Sequence, residues 1–365
     1  MRLQVKQIIK IFFITVIFFI IIDLFLGNYL YKNFLRINYF DRDTSMGESH
    51  PIFHHTSKKN YKTLSAGWGN RKFTYCSDNF GFRNKCDFVN KNKLFDIGII
   101  GDSQTEGLGI NFEDTFANLI SKQIPKKKVT NLAVASYSPS IYYSKINYLL
   151  NNNFKFNEII VFLDLSDLHD DTVRYKLEDD KIISKDANFA IENYSLGEKT
   201  EIFFKKRFKI SNHVFQILRG YFIDKKIIKK SIPYFVEENF RSSWTYDYDK
   251  KWYDNNELAD VIKKSKFNMN KLYKLLSKNN IHLSVAVFPW PSTLKYDDPD
   301  NLQVKTWREF CKNKCKNFYN LMEPFFKEKN KIGYRNTYFK YYIYGDIHLN
   351  ENGHKLIAEN FFKLN

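Results

Sequence analysis

Between residues 94 and 163, short apolar runs alternate with stretches whose apolar residues recur at helical spacing, and this alternation restricts the fold more than any other feature. Leu94-Phe-Asp-Ile-Gly-Ile-Ile100 reads as a buried strand that ends at Gly101. The apolar residues at 116, 119, 120 and 124 then follow a helical period until Pro125 stops it. Lys128–Val134 reads as a second strand. Ser138-Pro139 opens a second helix, with Ser as N-cap and Pro in the first turn, running through Tyr142, Ile146, Leu149 and Leu150. Glu158–Leu163 is a third strand. Strand, helix, strand, helix, strand implies a parallel sheet covered by helices on both faces, which is why its strands are continuously apolar.

The pattern breaks from about 168 to 255, a charged and aromatic stretch too long for an ordinary loop, which reads as an insertion or lid. It resumes with a helix near 257–279, a strand at 282–288 and a closing helix from about 352 to 362. The strands near 95–100, 128–134, 158–163 and 282–288 are expected in one parallel sheet, with the strand before Ser103 central.

The N-terminus sets the compartment. Arg2, Lys6 and Lys10 precede or enter an apolar stretch, Ile8–Leu26, interrupted by Asp23. Its core, Ile11–Ile22, also suits a signal peptide, but no small-residue cleavage site follows. With its flanks the stretch approaches the ~20 residues that span a bilayer. The expected organisation is a cytoplasmic tail (1–7), a transmembrane anchor (8–26), an extracytoplasmic stem (27–90) and a catalytic domain (91–365) carrying the insertion. Positive charge at the start keeps that end in the cytoplasm, so the chain reads as single-pass in the inner membrane with its domain periplasmic. Four cysteines suit that placement. Cys76 and Cys86 flank a turn-rich loop that a disulfide could close, whereas Cys311 and Cys315 are expected in a helix, where a bridge strains the geometry. The alternative of a zinc site lacks further ligands. His50, His54 and His55 invite a metal reading, but no carboxylate stands at ligand spacing, and packing in the stem is the simpler role. The net charge of +17 comes largely from lysines spread along the chain; with no nucleic-acid motif beside it, nucleic acid is not an expected partner. An anionic lipid or acidic polysaccharide remains a partner that the charge would attract.

Two strings carry chemistry. Ile99-Ile-Gly-Asp-Ser-Gln-Thr-Glu-Gly107 puts Ser103 on a turn directly after a buried strand, at the sheet edge where α/β proteins bind ligands. Tyr344-Gly-Asp-Ile-His-Leu-Asn-Glu-Asn-Gly-His354 puts Asp346 and His348 on a loop before the last helix. A serine needs a base to become a nucleophile, an imidazole supplies one near neutral pH, and an aspartate can orient that imidazole. The plain alternative is a capped turn in the first case and a helix-capping loop in the second.

Together, Gly-Asp-Ser near the domain start and Asp-x-His near its end resemble the first and last blocks of the SGNH/GDSL hydrolase family, over about residues 91–365 outside the insertion. The resemblance implies a flavodoxin-like three-layer α/β/α fold, catalytic Ser103, Asp346 and His348, and an oxyanion hole formed by Ser103, Ser136 and Ser166. Two of those positions depart from the family pattern: Ser136 stands where a glycine is usual, and Ser166 where an asparagine is usual. The Asp-x-His spacing, shorter than the usual Asp-x-x-His, resembles members that act in polysaccharide O-acetylation. Asp102, Asp164 and Asp167 read as braces for the loops, and His169 as a neighbour of the site. The expected activity is a serine esterase acting on O-acyl esters of an envelope glycan or lipid. The alternatives are an O-acyltransferase on envelope polysaccharide and a non-catalytic glycan-binding module. With no phosphate-binding glycine loop and no metal cluster in the sequence, no cofactor is expected.

Overall fold

The structure, a computed structural model, describes residues 2–30, 46–68, 71–185, 200, 203, 207–224, 231–246 and 257–363. It divides into two compact units, one built from residues 1–41 and 191–231, the other from 42–190 and 232–365.

In the first unit, α1 (Arg2–Leu30) is a single helix whose Ile9–Gly27 segment is long and apolar enough to cross a membrane. The second unit begins with two antiparallel hairpins, β1 (Gly47–His50) with β2 (His54–Ser57), and β3 (Lys62–Trp68) with β4 (Arg71–Cys76). Next come β5 (Leu94–Ile100), the one-turn helix α2 (Ser103–Glu106), α3 (Phe116–Gln123), β6 (Val129–Asn131), α4 (Pro139–Asn151) and β7 (Lys155–Leu163). A small hairpin, β8 (Tyr175–Glu178) and β9 (Lys181–Ser184), precedes α5 (Lys209–Asp224), which belongs to the first unit. The main unit closes with α6 (Leu258–Lys278), β10 (His282–Val287), α7 (Leu302–Cys311), β11 (Asn317–Asn320), α8 (Tyr334–Tyr341) and α9 (Glu351–Phe361).

Five parallel strands lie in the order β11-β10-β7-β5-β6. By sequence rank this is the 2-1-3-4-5 order of flavodoxin-like folds, with its switch point between β5 and β7. The chain steps one way from β5 to β6 and back the other way from β6 to β7. Right-handed crossovers therefore put α3 and α4 on opposite faces. Accordingly α3 packs against α9, and α4 against α6. Phe162 of β7 lies between Phe116 of α3 and Phe361 of α9, with ring centroids 4.5 and 5.8 Å away. This is the three-layer α/β/α architecture that the alternating pattern implies.

Several details differ from the sequence expectations. β5 is interior, but the middle strand is β7. β11 was not anticipated: Asn-Phe-Tyr-Asn has no apolar run, because an edge strand is covered on fewer sides. Ser138 is the N-cap residue of α4 by backbone position, but its hydroxyl bonds Asp171 (2.7 Å) rather than the helix amides. Of residues 27–90, expected as a stem outside the domain, 46–68 and 71–90 fold into it, while 31–45 and 69–70 lie outside the described residues. Phe53 and Phe82 are buried in the main core, while Ala66, Phe73 and Tyr75 form a satellite core with Leu108. The insertion is likewise narrower than 168–255, since 168–185 and 232–246 belong to the main unit; 186–199, 201–202, 204–206, 225–230 and 247–255 lie outside the described residues.

Both cysteine pairs are bridged, Cys76–Cys86 and Cys311–Cys315, with Cα separations of 5.0 and 4.7 Å. The strain anticipated for the second pair does not arise, because α7 ends at Cys311 and Asn313 turns the chain with φ 63°. Among the described residues no group of three His, Cys, Asp or Glu could hold a metal. His50 instead stacks on Phe53, and His55 bonds the Ala135 carbonyl at 2.7 Å.

Candidate active site

Parallel register brings several loops to one edge. Ile100 pairs with Val161, Ile99 with Asn131, and Val287 with Leu163. The loops after β5, β6, β7 and β10 therefore emerge side by side at the carboxyl ends of the strands. The turn after β5 requires Gly101: a Cβ there would stand 2.2 Å from Thr105 Oγ1 and 2.9 Å from the Phe162 carbonyl. Asp102 then caps α2 by accepting from the Gln104 amide at 2.9 Å, which sets Ser103 at the first helical position.

Ser103 Oγ lies 2.8 Å from His348 Nε2, and His348 Nδ1 lies 2.6 Å from Asp346 Oδ1. The tautomer with its proton on Nδ1 donates to Asp346 and leaves Nε2 to accept from the serine hydroxyl. Asp346 Oδ1 also accepts from the amides of Ile347 (2.6 Å) and His348 (3.1 Å). Burial alone would raise the Asp346 pKa; the His348 charge and hydrogen bond, with those two amides, outweigh it and hold the carboxyl below its ordinary value. The loop is shaped by Tyr338 of α8, whose hydroxyl accepts from the Gly345 amide at 2.7 Å.

The side chain of Gln104 ties the turn bearing Ser103 to the loop bearing His348. Its Nε2 donates to the Ile347 carbonyl and its Oε1 accepts from the Leu349 amide, both at 3.0 Å, so one amide group grips the backbone on either side of His348. Trp68 of β3 sets its ring edge-on to His348 at 4.8 Å. Ser103 Oγ is also 3.2 Å from Asp102 Oδ2. Burial, and then the nearby Asp164 charge, raise the Asp102 pKa well above its ordinary value. As a donor, the serine hydroxyl can reach Asp102 as well as His348.

Ser136 has φ 61°, a left-handed backbone that favours glycine, and its hydroxyl accepts from Arg174 Nη1 at 3.0 Å. Its loop is fixed to α2 through Glu106, which accepts from the Ala135 amide (2.8 Å) and from the Tyr75 hydroxyl (2.5 Å). Ser166 is buried, and both its amide (2.8 Å) and its hydroxyl (2.7 Å) donate to Asp164 Oδ1. That commits its single hydroxyl proton to Asp164. Asp164 further accepts from Trp290 Nε1 (2.7 Å), and Asp167 from the Tyr142 hydroxyl (2.9 Å). His169 bonds Asp170 at 2.9 Å, and Asp170 also pairs with Arg174. His354 lies inside the fold, accepting from the Phe116 amide at 3.0 Å; burial, then the charges of Arg83 and His348, lower its pKa to about 3.

Gln104, Glu106, Trp68 and Arg174 were not singled out in the sequence. Gln104 directly follows the serine, but a bond to a loop 243 residues away leaves no local signal. Trp68 and Arg174 lie in segments read as stem and insertion.

No family model matches the sequence, and no curated protein does. Matches are found among solved structures. They include the psychrotrophic esterase EstA from Pseudoalteromonas sp., 10% identical over 75% of this chain and 96% of that one, with a TM-score of 0.35. A member of the lipolytic G-D-S-L family from Veillonella parvula is 11% identical over 74% and 97%, with a TM-score of 0.40. TesA is 9% identical over 73% and 96%, with a TM-score of 0.39.

Proposed function

We propose that this chain is a membrane-anchored serine ester hydrolase of SGNH/GDSL type, acting on O-acyl esters of an envelope glycan or lipid. The observation that carries the reading is the hydrogen-bonded chain from Ser103 through His348 to Asp346. In the proposed reaction Ser103 Oγ attacks the ester carbonyl carbon as its proton passes to His348 Nε2. The oxyanion is met by backbone amides, those of Ser103 and Ser136 being the assigned donors. His348 returns the proton to the leaving alcohol, which departs and leaves an acyl-serine. A water then attacks that acyl carbon, giving its proton to His348, and the carboxylic acid leaves as Ser103 regains its hydrogen. Asp346 keeps the imidazole in the reactive tautomer and stabilises its charged form.

Two observations support an extracytoplasmic site: an N-terminal helix long and apolar enough to span a bilayer, and two disulfides, which persist in oxidising compartments. The reading assigns the N-terminal tail to the cytoplasm and the main unit to the far side of the inner membrane.

The test is covalent labelling of the full chain with a fluorophosphonate probe. Wild type should label, and Ser103→Ala should not; equal labelling of both would overturn the assignment. O-acyl transfer is the second reading. It is favoured by the short Asp-x-His spacing at 346–348; the commitment of the Ser166 hydroxyl to Asp164 removes a side-chain donor from the oxyanion hole of either reaction. Product analysis separates the two: free acid released without an acceptor, or acylated sugar formed only when one is supplied.

A further inference from the structure

Asp23 interrupts the apolar segment of α1, and a carboxylate there is costly unless it is paired. It is fully buried, and its two oxygens accept from the amides of Ile210 (2.9 Å) and Ser211 (2.6 Å), in the first turn of α5. Those amides are donors that the helix leaves unpaired, and the helix dipole favours the negative charge placed on them. Gly27 makes the contact possible, since a Cβ at that position would stand 2.0 Å from Asp23 Oδ1. α5 therefore starts at the level of Asp23, four residues, or ~6 Å at 1.5 Å per residue, before the apolar segment ends at Gly27. That end is remote from the basic N-terminus, at one face of whatever bilayer α1 crosses.

The composition of α5 suits that depth. Val214, Phe215, Leu218, Tyr221 and Phe222 are all exposed, at 39–59%. At ~100° per residue they fall within a single stripe ~120° wide. A stripe of three aromatic and two aliphatic side chains is costly to leave in water. The flanking sequence is basic on both sides, with Lys205, Lys206, Arg207 and Lys209 at the start and Lys225, Lys226, Lys229 and Lys230 beyond the end. An apolar stripe with lysine-rich ends is the composition of a helix that lies in a membrane surface, its rings at the acyl boundary and its cations among anionic headgroups.

We propose that α5 is a second membrane-contact element, lying in the interface of the bilayer that α1 crosses, with Asp23 as the link that holds it at that depth. The proposal rests on reading α1 as a span. It gives α5 a role in lipid contact rather than as a lid.

The test uses the full chain in vesicles of phosphatidylcholine and phosphatidylglycerol. The native cysteines are all in disulfides, so a single introduced thiol takes an environment-sensitive fluorophore selectively. Labels at Phe215→Cys and Leu218→Cys should brighten and shift to the blue, and a shallow spin-labelled lipid should quench them. A label at Ile17→Cys, inside the span, should respond to a deep spin label. Adding Asp23→Ala should return the Leu218→Cys label toward its emission in water while leaving the Ile17→Cys label quenched. If Ile17→Cys is quenched but both α5 labels stay in water, the inference fails and the anchor stands. If none is quenched, both fail. If unlabelled Leu218→Cys cross-links to a second copy, and its label ignores lipid quenchers, the stripe is a protein interface and the lipid assignment falls.

Discussion

Arg174 donates a 3.0 Å hydrogen bond to the hydroxyl of Ser136, a residue held in left-handed backbone with φ 61°. A side chain in that conformation costs ~1–2 kcal/mol, and the bond to Arg174 offsets part of the cost. The hydroxyl is thus tied sideways, while the amide keeps the direction that the left-handed turn gives it. Ser136→Gly should fold as well as wild type or better, by up to ~1 kcal/mol, and should keep its ester hydrolysis. Ser136→Pro should lose activity, because proline has no N–H and cannot adopt a positive φ. Thermal melts and initial rates on a soluble ester check both outcomes.

Gln104 joins the nucleophile helix to the backbone on either side of His348. Gln104→Leu removes both bonds and strands a buried carbonyl and a buried amide, at ~1–3 kcal/mol each. Folding stability should drop by that order. If the clamp positions the base, kcat should fall while KM changes little, and Gln104→Glu should recover only part of the loss, since an ionised carboxylate still accepts from Leu349 but cannot donate to Ile347. Equal kcat in wild type and Gln104→Leu would show that the loop holds His348 unaided.

Lys145 is fully buried, its ammonium donating to the Leu132 carbonyl (2.8 Å) and the Tyr137 hydroxyl (3.1 Å). Burial lowers its pKa from 10.5 to about 7, against the raising effect of the Glu106 and Asp78 charges. Between those two values the unfolded chain binds a proton that the folded chain has released. Stability should therefore climb as pH rises from about 7 to about 10.5. Lys145→Met should flatten that climb. Denaturant titrations across the window should give wild type the steeper slope; parallel curves would mean that Lys145 keeps its ordinary affinity for protons.

The Cys76–Cys86 bridge closes the loop that carries Arg83, which is buried and bonded to the carbonyls of Gly107 (3.4 Å) and Ile110 (2.7 Å) just after α2. Replacing both cysteines by serine should cost ~2–3 kcal/mol. Because Arg83 holds the chain that follows the nucleophile helix, the same variant should also lose hydrolysis below its melting temperature. The Cys311–Cys315 bridge lies at the end of α7, and its removal should lower stability with the rate unchanged.

How much of this could be read from the sequence depended on whether the determining contacts were local. Gly98–Ile100 and Glu158–Leu163 are buried on both faces, so their character is written in consecutive residues. Ser103, Asp346 and His348 stand in two short strings whose chemistry is explicit, and the structure brings the three within hydrogen-bond reach. Residues 46–90 read as a stem because their buried members, such as Phe53, Ala66 and Phe82, are scattered among polar ones and find partners far along the chain. β11 was invisible because it lacks an apolar run. The roles of Glu106 and Lys145 were missed for the opposite reason to that of the strands: a buried charge is defined wholly by its partners, and Tyr75, Ala135, Leu132 and Tyr137 converge on those two only in three dimensions.

The 245-position separation of Ser103 and His348 would also govern when the proposed site becomes reactive. A chain made from its N-terminus presents the serine turn 245 positions before the imidazole that would activate it. Even then the base is not gripped until Ile347 and Leu349 reach Gln104. On the proposed chemistry, a polypeptide still leaving the ribosome carries a dormant alcohol, and its reactivity begins when the loop that bears His348 docks.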